Sequence, residues 1–330
     1  MSKVKPVSIR FSRWNNPIQE DVVSRKFFSK LISVALNREV KVVYEQHGKV
    51  DIGIESVYGP RYVPTLKSRA SRFVQSYLPR GIEFSGGFAT PNQQPTDNAR
   101  FSLFWTGENE RPPEGMWDVY LSFDLHSFRG RNAYLPLWWL TCSDILLPTP
   151  APYLGKPITI KEMLSPRKAD YHSRKKFCVA FIGKAYPFRM HALSALSSVG
   201  KVDVFGGIAR NTFQTKAKEK FEIGQQYKFV FCFENDLYPG YVTEKAPEAW
   251  ATGAVPLYWG SDSAGYFNDK AMLNLTQSSS LESYVELVKK VYDSKERWEK
   301  IASQPLLQRS PSLAPVIQVL RDRLSPLVKE

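Results

Sequence analysis

The stretch YKFVFCFENDLYPGYVTEKAPEAWATGAVPLYWG (227–260) opens on a near-continuous apolar run, Tyr227 to Phe233, and closes on another, Ala254 to Trp259. A strand with one wet face alternates apolar and polar residues. A run without alternation is expected where both faces are covered, as in a parallel sheet between helix layers. Between the two runs, VTEKAPEAWATG (242–253) reads as a helix, with Thr243 as a capping residue and Glu244 near the positive end of the dipole. Strand, helix and strand of this kind make a βαβ unit, so the stretch predicts an α/β fold. It also raises a question: Glu234, Asn235 and Asp236 follow the apolar strand at once, where packing alone needs no ionisable cluster.

The same alternation extends in both directions. KKFCVAFIG (175–183) and KVDVFGG (201–207) read as strands, FRMHALSALSSVG (188–200) as a helix closed by Gly200, and TKAKEKFEIG (215–224) as a further helix. Residues 281–304 supply one or two closing helices. A doubly wound domain over 169–305 follows. Upstream, VSIRFS (7–12) alternates like a strand, and 18–36 places Val23, Phe27, Leu31 and Val34 on one helical face. Short β-rich runs at 40–45, 50–56, 81–87, 101–107 and 119–124 extend this pattern into a second α/β unit over 1–150, poor in helix between 60 and 130. Pro148, Pro150, Pro152, Pro157 and Pro166 disfavour a regular element, so 151–168 is expected to be a linker. The tail, 306–330, is amphipathic, with Val316, Leu320 and Leu324 on one face and Arg321 and Arg323 elsewhere. Packing across the domains is the reading preferred to binding at a membrane surface.

Composition narrows the class. The 330 residues suit about two domains, and 43% hydrophobic with 13% aromatic residues argues against disorder. The formal charge of +13, from 45 Lys and Arg against 32 Asp and Glu, fits an anionic partner or simply a basic solvated surface. Local clusters occur at Arg167-Lys168 and Arg174-Lys175-Lys176. Three cysteines form no paired spacing, and Cys178 and Cys232 lie in apolar runs, which favours core packing over disulfides or zinc. Four scattered histidines give no metal motif. With no run of roughly 20 apolar residues, no spanning helix is expected. The reading is a cytoplasmic protein, at most peripheral at the inner face of the membrane.

Open α/β sheets bind ligands beyond the carboxyl ends of their strands. Three polar clusters fall at such ends: Gly183-Lys184 with Arg189, Gly206-Gly207 with Arg210 and Asn211, and Glu234-Asn235 with Thr243, Glu244 and Lys245. Each brings a cation near a following helix, which would cradle a pyrophosphate. Individually each is also an ordinary turn, a solvated surface or a helix cap. There is no G-x-G-x-x-G and no P-loop signature. A further candidate is Glu108 in TGENERPPEGMWD (106–118). A carboxylate of ordinary pKa, about 4.3, is ionised at neutral pH and can accept a hydroxyl proton; the alternative is an acidic loop.

In this order the pieces TGENE (106–110), KKFCVAFIGKAYPFR (175–189), FGGIARN (205–211), YKFVFCFEN (227–235), GYVTEK (240–245) and VPLYWGS (255–261) resemble the α-1,3/1,4-fucosyltransferases, glycosyltransferase family 10, especially soluble bacterial members. The resemblance covers roughly 100–275 and implies a GT-B architecture: two Rossmann-like doubly wound domains facing a central cleft, acceptor mainly on the first and GDP-fucose mainly on the second. It implies inverting transfer of L-fucose from GDP-β-L-fucose to a hydroxyl of a galactose- or N-acetylglucosamine-containing glycan. Glu108 inherits the role of general base, Arg189 and Lys245 the diphosphate contacts, Asn235, Tyr241 and Glu244 the donor lining, and Gly206 to Arg210 the guanine end.

Such a transfer passes through an oxocarbenium-like state in which charge develops on the departing GDP, where cations stabilise it. No cofactor or tightly held metal is then required, although weak stimulation by Mn²⁺ or Mg²⁺ remains compatible. Nucleic acid is not an expected partner; a non-catalytic nucleic-acid or membrane binder, and a GT-B transferase using another GDP-hexose, are the competing readings. Pro247 departs from the family pattern. Proline is best tolerated at the first helical position, so the helix is expected to start later than the motif suggests.

Overall fold

The computed structural model describes residues 5–12, 20–45, 47–57, 95, 98–112, 117–147, 154–207 and 217–328. The strand expected at 81–87 and residues 208–216, which include Arg210, lie outside them.

The N-terminal sheet runs β1 (Val7–Ser12), α1 (Glu20–Leu36), β2 (Val40–Val42), β3 (Val50–Glu55), β4 (Ala99–Trp105), β5 (Val119–Ser122), β6 (Asn132–Tyr134) and a one-turn helix α2 (Leu137–Leu140). All pairs are parallel and the spatial order is β2-β1-β3-β4-β5-β6. The order reverses between β1 and β3. On α1, Phe27, Phe28, Leu31, Ile32, Ala35 and Leu36 are buried; Val34, expected on that face, is only half-buried.

In the Pro-rich segment, α3 (Ile160–Met163) forms one turn, closed by a capping box between Thr159 and Glu162. The proline density disfavoured a regular element there. The cap suffices because the nearest prolines, Pro157 and Pro166, flank the turn rather than interrupt it.

The C-terminal sheet follows: β7 (Lys176–Phe181), α4 (Pro187–Leu196), β8 (Val202–Phe205), α5 (Ala217–Gly224), β9 (Tyr227–Phe231), α6 (Lys245–Ala251), β10 (Val255–Tyr258), β11 (Leu273–Asn274), α7 (Leu281–Tyr292) and α8 (Lys295–Ala302). Its parallel order is β11-β10-β9-β7-β8, reversing between β7 and β9. The apolar run from Tyr227 is explained by its two faces. Phe229, Phe231 and Phe233 pack with residues of α4, α7 and α8, while Tyr227, Val230 and Cys232 share a cluster with Ala246, Ala249 and Trp250 of α6. Fully burying such side chains stabilises by roughly 1.5–3 kcal/mol each. All three cysteines are buried and free.

A last helix, α9 (Ala314–Arg323), returns to the N-terminal sheet. Val316, Leu320 and Leu324 are fully buried, and Arg321 Nε donates to the Ala35 carbonyl at 2.9 Å. Among the described residues no helix is long and apolar enough to cross a membrane.

Candidate active site

The C-terminal sheet reverses its order between β7 and β9, so a crevice is expected beyond the carboxyl ends of these two strands. There Arg189, in the first turn of α4, is 4% exposed and donates through Nη1 to Asn235 Oδ1 at 2.9 Å. Its Nε is buried with no partner. Burial lowers the pKa of Arg189, and the Glu234 carboxylate works against that shift.

Glu234 answers the question posed by the sequence. It is 0% exposed, and both its carboxylate oxygens accept hydrogen bonds. Oε1 accepts from the Thr243 backbone N–H at 2.8 Å, and Oε2 accepts from the Thr243 hydroxyl at 2.7 Å and from Lys245 Nζ at 3.0 Å. The charge at the strand end is thus a buried counter-ion that fixes Lys245. Burial alone would lower the Lys245 pKa; the Glu234 and Glu244 carboxylates outweigh it and leave it raised. An ammonium has three donors. Two of those on Lys245 go to Glu234 and Thr243, which leaves one for a ligand.

The helix carrying Lys245 begins where the motif suggests, not later. Glu244 is its N-cap and Lys245 its first residue. The first backbone bond runs from the Glu248 N–H to the Glu244 carbonyl, 2.9 Å. Pro247 is the third helical residue, where an N–H would have no intrahelical acceptor anyway. Thr243, expected as the cap, instead gives its hydroxyl to Glu234. Arg189, Glu244, Lys245 and Glu248 line one cavity.

Gly206 and Gly207 sit where the β8 exit presses on the β7 exit. Gly206 has φ +114, and a Cβ there would lie 2.5 Å from the Ile182 carbonyl oxygen; one on Gly207 would lie 3.2 Å from the Gly183 oxygen. Close backbone packing therefore accounts for this glycine pair, and a Cβ on Gly183 would meet nothing within 4 Å. Arg210, assigned with Gly206 to the nucleobase end, lies outside the described residues.

From the other side, the β4 exit brings in Glu108, half-exposed, on a turn in which the Thr106 hydroxyl donates to the Glu108 carbonyl at 3.0 Å. Tyr241 is 1% exposed; burial pushes its hydroxyl pKa well up, and the nearby Glu108, Glu234 and Glu244 carboxylates add to the effect. Carboxylates of both halves, Glu108 on one and Glu234 and Glu244 on the other, thus act on the same hydroxyl. Asn109 Nδ2 donates to Asp236 Oδ2 across the cleft at 2.7 Å. The Tyr134 hydroxyl donates to the Gly240 carbonyl at 3.1 Å, and Phe123 packs edge-on against Tyr238 and Tyr241.

The structure thus brings Arg189, Glu244 and Lys245 to one cavity, joins Asn235 to Arg189, and sets Tyr241 under the charges of Glu108 and Glu244. Sequence reasoning missed the work of Glu234, Asn109, Asp236 and Tyr134. Glu234 carried a signal, as an acid closing an apolar strand; the cross-cleft pairs carried none, being over a hundred residues apart in sequence. Among the described residues no group of three or more His, Cys, Asp or Glu could hold a metal ion.

Several known proteins resemble this chain. Residues 171–302 match the model of glycosyltransferase family 10 (fucosyltransferase) C-term. Alpha-(1,3)-fucosyltransferase FucT of Helicobacter pylori is 30% identical over 213 residues, 58% of this chain and 44% of that protein. The 3-galactosyl-N-acetylglucosaminide 4-alpha-L-fucosyltransferase FUT3 of Pongo pygmaeus is 38% identical over 82 residues, 24% of this chain and 20% of that one. The chain thus spans less than half the length of either relative. Among solved structures, an alpha1,3-fucosyltransferase with GDP-fucose aligns with 100% of this chain and 93% of its own at 22% identity and a TM-score of 0.64. That likeness shows the GT-B fold.

Proposed function

We propose, from the family 10 (fucosyltransferase) domain that residues 171–302 carry, that this protein transfers L-fucose from GDP-β-L-fucose to a hydroxyl of a galactose- or N-acetylglucosamine-containing glycan, with inversion. The observation that carries the reading is the pairing of two cations on one half, buried Arg189 and half-buried Lys245, with a carboxylate on the other. Arg189 and Lys245 line a cavity at the strand ends, and the Glu108 carboxylate, on the β4 exit, is among the charges that act on the buried Tyr241 hydroxyl. The GDP and GDP-fucose named for the structurally similar enzymes supply the donor class.

In this reading the bond from fucose C1 to the β-phosphate oxygen breaks, and its electrons leave with GDP. The unpartnered Nε–H of Arg189 and the remaining N–H of Lys245 receive the developing charge. Fixed donors aimed at such charge stabilise the transition state more than the ground state. The acceptor oxygen bonds C1 from the opposite face and yields its proton to Glu108. Positive charge comes from arginine and lysine, so the reaction needs no metal or other cofactor in this scheme.

Glu108→Gln separates the roles. Turnover of GDP-fucose should fall by about 10²–10⁴, the usual range for a lost general base, while GDP still raises the melting temperature as in the unaltered protein. Retained turnover would remove Glu108 as the base.

A further inference from the structure

Two basic clusters that the transfer reaction leaves unused meet, through Arg167 of the first and Arg174-Lys175-Lys176 of the second, at a cavity of about 760 Å³. It opens at the amino ends of β7 and β9, the edge of the sheet opposite Arg189 and Lys245. Cavities that hold small molecules run about 300–1,000 Å³. Its walls bring Lys156, Arg167, Arg174, Lys175 and Lys176 together with two carboxylates, Glu162 and Glu222, and with the apolar faces of Trp250 and Phe221.

The arginines are fixed. Arg167 donates to the carbonyls of Ala302 at 2.6 Å and Ala254 at 2.9 Å, and to that of Trp250. Arg174 donates to the carbonyls of Gly224 at 3.2 Å, Tyr227 at 2.9 Å and Thr252 at 2.7 Å. They thereby cap the carboxyl ends of α5, α6 and α8. Neither is ion-paired among the described residues. Five cations against two carboxylates leave +3 on the walls, and three helix ends return only about −1.5. Burial, with the Arg174 charge as a further and smaller cause, lowers the Arg167 pKa to about 9. Burial likewise lowers that of Arg174 to about 10, against the pull of Asp170.

The lysines are not fixed in this way. Lys175 is exposed and makes no hydrogen bond or ion pair among the described residues. Lys176 Nζ donates only to Gln226 Oε1 at 3.0 Å, and Lys156 rests over the Phe221 ring at 4.9 Å. Ammonium groups without a carboxylate partner around an uncompensated positive floor suit a phosphate, for which lysine acts as a point charge. The Trp250 and Phe221 walls suit an organic body attached to it.

We propose that this cavity binds a phosphate-bearing anion, a monoester or diphosphate, held by Lys156, Lys175 and Lys176 above Arg167 and Arg174. The test uses the whole protein saturated with GDP, so that the donor cradle is filled and its own response is read separately. Pyrophosphate at constant ionic strength should raise the melting temperature further. In K156A/K175A/K176A that increment should vanish, with affinity at least about tenfold weaker by calorimetry, equivalent to about 1.4 kcal/mol, while the GDP shift persists. Vesicles of phosphatidylcholine with and without phosphatidylglycerol distinguish the source. Cosedimentation with the anionic vesicles that pyrophosphate competes away identifies a lipid headgroup; pyrophosphate binding without it identifies a free phosphate compound. No increment, an equal increment from chloride, or an increment unchanged in the triple variant would overturn the proposal.

Discussion

Glu248 shows how burial sets a side chain's charge. It is 8% exposed, its Oε1 has no partner, and Lys220 stands 3.9 Å from Oε2. Burial raises its pKa from 4.5 to about 8 despite Lys220. A carboxyl raised in the folded state holds its proton longer there than in the unfolded chain. Its contribution to stability is therefore complete below pH 4.5 and is lost as pH rises toward 8, at up to roughly 1.4 kcal/mol per unit. Glu248→Gln should remove this slope, so urea unfolding at pH 5, 6.5 and 8 should show the variant gaining on the parent as pH rises. Parallel curves would refute the assignment. Arg189 depends on shape as well as charge, since its guanidinium both holds Asn235 and leaves Nε free. Arg189→Lys keeps the charge but not the fork. Its kcat/KM should fall by about 10²–10³, the cost of a lost charge-stabilising donor, with less effect on the melting temperature than on turnover.

Helix α6 gathers the legible and illegible parts of the fold in one element. Its existence, and the strands on either side, could be read from apolar runs whose faces proved to be covered on both sides. Its start could not, because proline rules concern the hydrogen bond lost, and at the third helical residue none is lost. Pro247→Ala should accordingly change unfolding free energy by less than about 1 kcal/mol; a gain near 3 kcal/mol, the interior penalty relieved, would mean that Pro247 strains the helix. Arg189 and Asn235 were legible as members of two clusters at neighbouring strand ends, since topology brings such ends together. The bond from Lys245 to Glu234 was half-legible, because both residues stand in one motif while depth of burial is a tertiary property. Short β6 and β11 had too few residues for any period to show.

At the scale of the whole molecule, the groups proposed to react are divided between halves, so their alignment would depend on contacts that span the cleft. The Pro239-Gly240 turn makes one of these. Gly240 has φ +83, and a Cβ there would lie 2.5 Å from the Phe123 carbonyl oxygen. Its own carbonyl accepts from Tyr134 at 3.1 Å. The next residue, Tyr241, packs on Phe123 and meets the field of Glu108. Only glycine permits both the positive φ and the approach of the two backbones. Gly240→Ala must push the turn off Phe123, and with it Tyr241 from Glu108. The cations that would hold GDP lie wholly on the C-terminal half, bound to Glu234 and Asn235, and do not share that displacement. Affinity for GDP should therefore change by less than about threefold, whereas kcat should fall by about 10² or more, the scale on which a misplacement near 1 Å acts. Equal losses in GDP binding and turnover would show that the turn supports the nucleotide cradle itself rather than the alignment of the two halves.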